Sequence, residues 1–188
     1  VDNAQTALLW ALKCELYEND DQRNTMIENL ITNIKNEGGS VREGMDENTL
    51  SVGFLGVNVI LPVLTEIGAA DVAYDLLLQD AMPSWLYSVK NGSTTIWERW
   101  NSLDESGHIS STGMNSLNHY AYGAVAAYIW KRLVGLNPVE DAPGFHKVQI
   151  IPHVNYSIGS IQAVYPSPVG EYRIAWETPD LNHVHFMV

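Results

Sequence analysis

GLNPVEDAPG, residues 135–144, is where the chain changes character. The segment is rich in Pro and Gly, and such clusters mark turns and domain boundaries. Upstream of it, apolar residues recur at helical spacing. Ala7, Leu8, Ala11, Leu12 and Leu16 form one such set, and Met26, Ile27, Leu30, Ile31 and Ile34 form a second. A repeat of three and four is the signature of an amphipathic helix. Gly38-Gly39 is expected to end the second helix, and Ser40–Ser51 reads as a loop. A third helix is expected over Phe54–Ile67, capped by Ser51 and kinked or started late by Pro62. A fourth is expected over Ala70–Leu78. Short links between helices imply antiparallel neighbours. Asn91-Gly92 is a tight-turn signal, so Trp85–Val89 and Ser93–Trp97 are expected to be extended. A long helix over Ser116–Leu133 follows, with Leu117, Tyr120, Ala121, Ala124, Val125, Tyr128 and Ile129 as its stripe. Downstream of the Pro/Gly segment the pattern switches to short strand-like runs at Lys147–Ile151, Ile158–Tyr165, Glu171–Trp176 and His183–Val188. An α module followed by a β module is the expected fold class, with a boundary that gives domains 1–137 and 138–188.

Composition narrows the function. The chain has 188 residues, 46% of them hydrophobic, and six Trp, which excludes wholesale disorder. Its 22 acidic and 10 basic side chains give a net charge of −12, spread along the chain. With no basic stripe, no nucleic-acid partner is expected. No apolar run reaches membrane-spanning length, so no membrane partner is expected either. Cys14 is the single cysteine; it lies among apolar residues and is expected to be a buried, inert thiol. VDNAQTALLW at residues 1–10 lacks the basic start of a signal peptide and reads like the middle of a helix-rich domain. A chain cut from something longer is expected, and the compartment is not legible. Asn91-Gly-Ser and Asn155-Tyr-Ser match a glycosylation sequon too short to carry weight.

The chemistry concentrates in Thr94–Tyr122. TTIWERW sets Glu98 between Trp97 and Trp100 with Arg99 beside it, and GMNSLNHYAY supplies Asn115, Asn118 and His119. Indole faces cover the C–H faces of a sugar ring, while amides and imidazole take its hydroxyls. A lone carboxylate in that setting is a candidate general acid or base. The competing reading is structural: tryptophans in the core and Glu98 ion-paired with Arg99. His183 and His185 alternate on a strand; two histidines without a third ligand read as surface residues, and no metal or organic cofactor is expected.

Taken together, MPSWLYSVKNG, TTIWERW and GMNSLNHYAYGAVAAYIWKRLVGL resemble the α-L-rhamnosidases of glycoside hydrolase family 78. SVGFLGVNVILPVLTEIG and DVAYDLLLQDAMPSW upstream, and GFHKVQIIPHV and YPSPVGEYRIAWE downstream, fit the same family in the same order. The resemblance implies the last part of an (α/α)6 six-hairpin barrel, followed by the start of an antiparallel β-sandwich. It implies removal of terminal α-L-rhamnose from glycosides or polysaccharides with inversion. Inversion uses two carboxyl groups about 6.5–9.5 Å apart, one protonating the leaving oxygen and one activating water. By the resemblance Glu98 is the base, His119 contacts the sugar, and Trp97, Trp100 and Trp85 wall it, with Asn118 nearby. The general acid is expected on a segment upstream of Val1, so the chain alone is expected to be inactive and to depend on the rest of its parent polypeptide. Unpartnered helix faces would favour self-association. Asn101 stands where the family usually has Asp, and SVREGMDENTL is longer and more acidic than usual. Two other readings stay open: a non-catalytic carbohydrate-binding or scaffolding piece, and an (α/α)-barrel enzyme for another deoxysugar or a uronide.

Overall fold

The computed structural model describes residues 3–104, 106–110 and 113–188. Val1 and Asp2 of the N-terminal stretch, and Glu105, Ser111 and Thr112 of the polar loop, lie outside the described residues. The chain divides into two compact units, Val1–Val125 and Ala126–Val188.

The first unit is helical. It contains α1 (Gln5–Lys13), α2 (Asp20–Lys35), α3 (Ile60–Glu66), α4 (Ala70–Leu78) and α5 (Trp85–Lys90). α1 packs on α2 and α3, and α4 packs on α3, α2 and α5. These are helical hairpins, and among the described residues they do not close into a ring. Their core is aliphatic: Leu8, Leu9, Leu30, Ile34, Ile60, Leu61, Leu64 and Leu76 are buried. α2 starts where the Asn19 side chain accepts from the Gln22 N–H, with Asp20 and Asp21 in its first turn and Lys35 in its last. Each of these charges suits the helix dipole.

The loop between α2 and α3 has no period because polar side chains, not a stripe, hold it. Fully buried Gln5 donates to the Asn33 side chain at 3.1 Å and to the Thr49 carbonyl at 3.3 Å, and accepts from Ser51 N–H at 2.7 Å. Arg42 donates to the carbonyls of Asn33, Ile34 and Thr49. Ser51 is therefore engaged by α1 and does not cap α3. That helix starts only at Ile60, so Phe54 to Val59 is a run of turns, and Pro62 sits in the first turn where it displaces no bond. α2 ends on Asn36, which is left-handed at φ 48°, two residues before the expected Gly-Gly stop.

Three other expectations are corrected. Trp85–Lys90 is a helix, not a strand. Buried Ser84 caps it by accepting from Tyr87 N–H at 3.1 Å. Asn91-Gly92 closes it: Gly92 takes φ 74°, its N–H reaches the Val89 carbonyl, and Ser93 N–H reaches the Ser88 carbonyl. That bond pair is the left-handed helix stop. The helix expected from Ser116 begins only at Ala121, as a 3₁₀ turn over Ala121–Ala124 leading into α6 (Val125–Tyr128) and a π-helical turn over Ile129–Leu133. Cys14 is exposed, because α1 ends at Lys13 and places it on the C-cap.

The second unit is two antiparallel sheets. β1 (Leu136–Pro138) pairs with β2 (Val148–Ile150); β3 (Ser160–Ser167), β4 (Gly170–Asp180) and β5 (His183–Met187) form a meander. β1 lies in the Pro/Gly segment read above as turn. Both sheets contribute to one core, in which Val134, Leu136 and Ile174 are packed by Trp130, Val148, Ile150, Ile161, Ala163 and Tyr172. Alternation along β4 turns Tyr172, Ile174 and Trp176 inward, and Trp176 donates from its indole N–H to the Leu133 carbonyl at 2.7 Å. His183 and His185 are exposed, and each faces a carboxylate, Asp180 and Glu177 respectively. No described helix is long and apolar enough to cross a membrane.

Candidate functional site

Residues 96–98 and 116–119 run side by side, although some twenty positions separate them in sequence. Glu98 N–H donates to the Ser116 carbonyl at 2.9 Å, His119 N–H donates to the Ile96 carbonyl at 2.7 Å, and the Thr95 hydroxyl donates to the Leu117 carbonyl. This short backbone ladder brings Glu98 and His119 onto one region. It also explains why Ser116–His119 is not helical: backbone groups of Ser116, Leu117 and His119 are spent across the ladder, not along a helix. Gly123 lets the following turn lie against Ile96, since a Cβ there would stand 3.3 Å from Ile96 Cγ1.

Glu98 is half-buried. Its Oε2 accepts from Ser116 N–H at 2.7 Å, a charge-assisted length. Among the described residues, Oε1 accepts no hydrogen bond and no cation forms an ion pair with the carboxylate. Arg99 turns the other way. Its Nε donates to the Met114 carbonyl at 3.0 Å and an Nη to the Gly113 carbonyl at 2.8 Å, so it braces the loop. Ser102, fully buried, tightens the same loop by accepting from Arg99 N–H at 3.0 Å.

His119 is half-buried, and its Nδ1 accepts from Ala121 N–H at 3.3 Å. That bond places the proton of the neutral ring on Nε2, leaving Nε2–H as the donor. Asn118 is exposed, with its N–H on the Ser116 hydroxyl.

The three tryptophans are not equivalent. Trp97 is 4% exposed and Trp85 8%, so both are interior. Trp85 donates from its indole to the Tyr122 carbonyl at 2.9 Å and meets Trp100 edge-on at 5.6 Å. Trp100 is half-buried, donates to the Val52 carbonyl at 2.9 Å and stacks on Tyr122 at 3.7 Å and 5°. The void among Trp85, Trp97, Trp100 and Tyr122 is about 20 Å³, room for a water and not for a sugar ring. Any sugar contact would be made on the outer side of this cluster.

Two further aromatic residues lie beside these groups. Tyr122 is buried, and its phenol is held above the ordinary tyrosine range by burial and then by the charge of Glu98. Phe54 lies over His119 with ring centres 4.6 Å apart and planes at 14°, and reaches Tyr122 at 5.5 Å. In sequence it is an aromatic bracketed by glycines in VGFLG, within the stretch expected to be the third helix. Among the described residues, no group of three or more His, Cys, Asp or Glu side chains could hold a metal ion.

The model of the bacterial alpha-L-rhamnosidase 6 hairpin glycosidase domain matches residues 1–133. The chain belongs to the bacterial α-L-rhamnosidase family. The family's C-terminal domain matches residues 135–188 of this rhamnosidase-family chain. An α-L-rhamnosidase of Formosa agariphila is 36% identical over 177 residues, covering 94% of this chain and 18% of that protein. One from an Alteromonas species is 41% identical over 127 residues, 68% of this chain and 14% of that protein. The crystal structure of Streptomyces avermitilis α-L-rhamnosidase complexed with L-rhamnose superposes with a TM-score of 0.79 at 35% identity, covering 94% of this chain and 16% of that one. The rhamnosidase-family chain thus spans less than a fifth of the curated relatives it matches here.

Proposed function

We propose that this chain carries the general-base half of the active site of an inverting α-L-rhamnosidase, within a polypeptide of its relatives' length. The observation that carries the reading is the state of Glu98. One carboxylate oxygen is anchored by Ser116 N–H, the other accepts nothing among the described residues, and no cation neutralises the pair. A carboxylate oriented in that way is suited to take a proton from water.

In this reading Glu98 Oε1 accepts the proton of a water as its oxygen bonds to the anomeric carbon. The glycosidic bond on the opposite face breaks as it forms. The departing oxygen receives a proton from a carboxylic acid supplied elsewhere in the longer polypeptide, about 6.5–9.5 Å from Glu98. Nε2–H of His119 donates to a sugar hydroxyl. Trp100, the most accessible of the three indoles in the motif, offers an apolar face to the ring's C–H groups. The co-crystallised L-rhamnose of the Streptomyces avermitilis relative supports rhamnose as the sugar recognised.

Proton NMR of the first sugar released from an aryl α-L-rhamnoside tests the stereochemistry: the β anomer is expected first, and initial α anomer overturns inversion. Glu98→Gln in the full-length parent enzyme tests the role. A fall in kcat of about 10²–10⁴ is expected from removing a general base, and near-native turnover overturns the assignment.

A further inference from the structure

Phe54 is an exposed aromatic held in place from below. At 45% exposure it ranks with ordinary surface residues. Its loop is nevertheless fastened on both sides. Val52, two residues before it, receives the Trp100 indole N–H at 2.9 Å, and Leu55, the residue after it, receives that of Trp10 at 2.9 Å. Gly56 presses the loop against α1 so closely that a Cβ would fall 2.6 Å from the Thr6 hydroxyl and 2.8 Å from Val52. A large apolar ring kept in solvent by three independent constraints is not explained by core packing.

The imidazole of His119 is what this ring covers. The 14° interplanar angle and 4.6 Å separation are those of an offset stack. Among the described residues, the imidazole has one in-plane restraint, the 3.3 Å bond from Ala121 N–H to Nδ1. That bond fixes the tautomer but leaves the ring able to tilt about it. The face of Phe54 opposes the tilt. On the far side of the sequence motif, Tyr120 lies near-parallel to the same imidazole at 5.4 Å and 8°, but at 87% exposure it is a solvated surface ring.

We propose that Phe54 is a positioning residue that acts through His119, setting the plane in which Nε2–H donates to the sugar. The inference rests on the assignment of His119 as a sugar contact. It adds that the direction of the donor is governed by a residue 65 positions away, on a loop of another helical hairpin.

A double-mutant cycle in the full-length parent enzyme tests this, using an aryl α-L-rhamnoside. Phe54→Leu is expected to lower kcat/KM about three- to tenfold, the range that one aromatic stack contributes. Phe54→Tyr, which keeps the ring, is expected to restore most of it. His119→Ala is expected to lose more, and Phe54→Leu combined with His119→Ala is expected to be no worse than His119→Ala alone. Unchanged kinetics in Phe54→Leu overturn the proposal while leaving His119 in place. Fully additive losses, or a Phe54→Tyr variant as damaged as Phe54→Leu, also overturn it. An inert His119→Ala removes the His119 assignment itself, and with it the proposal. Circular dichroism of each variant separates these outcomes from misfolding, and a Phe54→Leu variant that loses activity only by unfolding counts against the proposal.

Discussion

Glu98 and Ser116 clasp each other twice, through Glu98 N–H to the Ser116 carbonyl at 2.9 Å and Ser116 N–H to Glu98 Oε2 at 2.7 Å. The carboxylate proposed as the base is thus also a structural acceptor, and the proposed role and the observed one separate by substitution. Glu98→Gln retains an oxygen for Ser116 N–H, so its melting temperature should stay near the wild-type value. Glu98→Ala leaves a half-buried N–H without its acceptor and should cost about 1 kcal/mol. Urea unfolding of the two variants checks this; equal stabilities would show that the clasp contributes nothing.

The phenol of Tyr122 titrates above the ordinary tyrosine range because of burial and the Glu98 charge. A raised folded value means the protonated phenol is favoured in the native state. That contribution is fully present below the unfolded value of about 10 and is lost as pH rises through the folded value. Tyr122→Phe should flatten the alkaline limb of the stability profile. Glu98→Gln should lower the phenol's midpoint while leaving the part due to burial. Absorbance titration of tyrosinate, wild type minus Tyr122→Phe, reads both effects.

Gly135 and Gly159 have nearly the same backbone, φ 81° and 78°, and different surroundings. A Cβ on Gly135 would stand 2.2 Å from the backbone nitrogen of Pro152, whereas one on Gly159 would meet nothing within 4 Å. Gly159→Ala should cost only the strain of its left-handed conformation, about 1 kcal/mol. Gly135→Ala adds a backbone clash and should cost about 3 kcal/mol or more. Thermal melts of the two variants give the comparison, and similar losses would refute it.

Ser84 caps the helix that carries Trp85. Ser84→Ala should destabilise by about 1–2 kcal/mol, and Ser84→Asp should recover part of it if the larger group fits. The loss is read from denaturant midpoints. An unchanged midpoint in Ser84→Ala would mean that α5 is held by the burial of Trp85 and Tyr87 alone.

α4 was legible to the residue because a compact apolar run follows Gly68 and nothing competes with it. α5 was not. Asn91-Gly92 serves a hairpin turn and a left-handed helix stop equally well, and the deciding partner is the Ser84 hydroxyl, a local cap that the strand reading overlooked. The stripe through Leu117 and Tyr120 overstates the sixth helix because the ladder to Ile96 and Glu98 claims the backbone of Ser116 and His119, a tertiary pairing invisible to periodicity. β1 hid behind Pro138, which lacks a donor yet closes a strand pair opposite Val148. Glu98 and His119 are candidates by their motifs, and the structure brings them into one region. Phe54 carries no such signal, because what ties it to His119 is a ring contact between distant segments.

The ladder between residues 96–98 and 116–119 has a consequence for how this surface can vary. The excursion it closes is tied at its own base, with Leu103 bridged to Ile109 and Asp104 N–H on the His108 carbonyl at 2.9 Å. Lengthening or rewriting its tip does not have to displace the carboxylate or the imidazole. Evolution can therefore remodel this rim while the two side chains beneath it stay where they are.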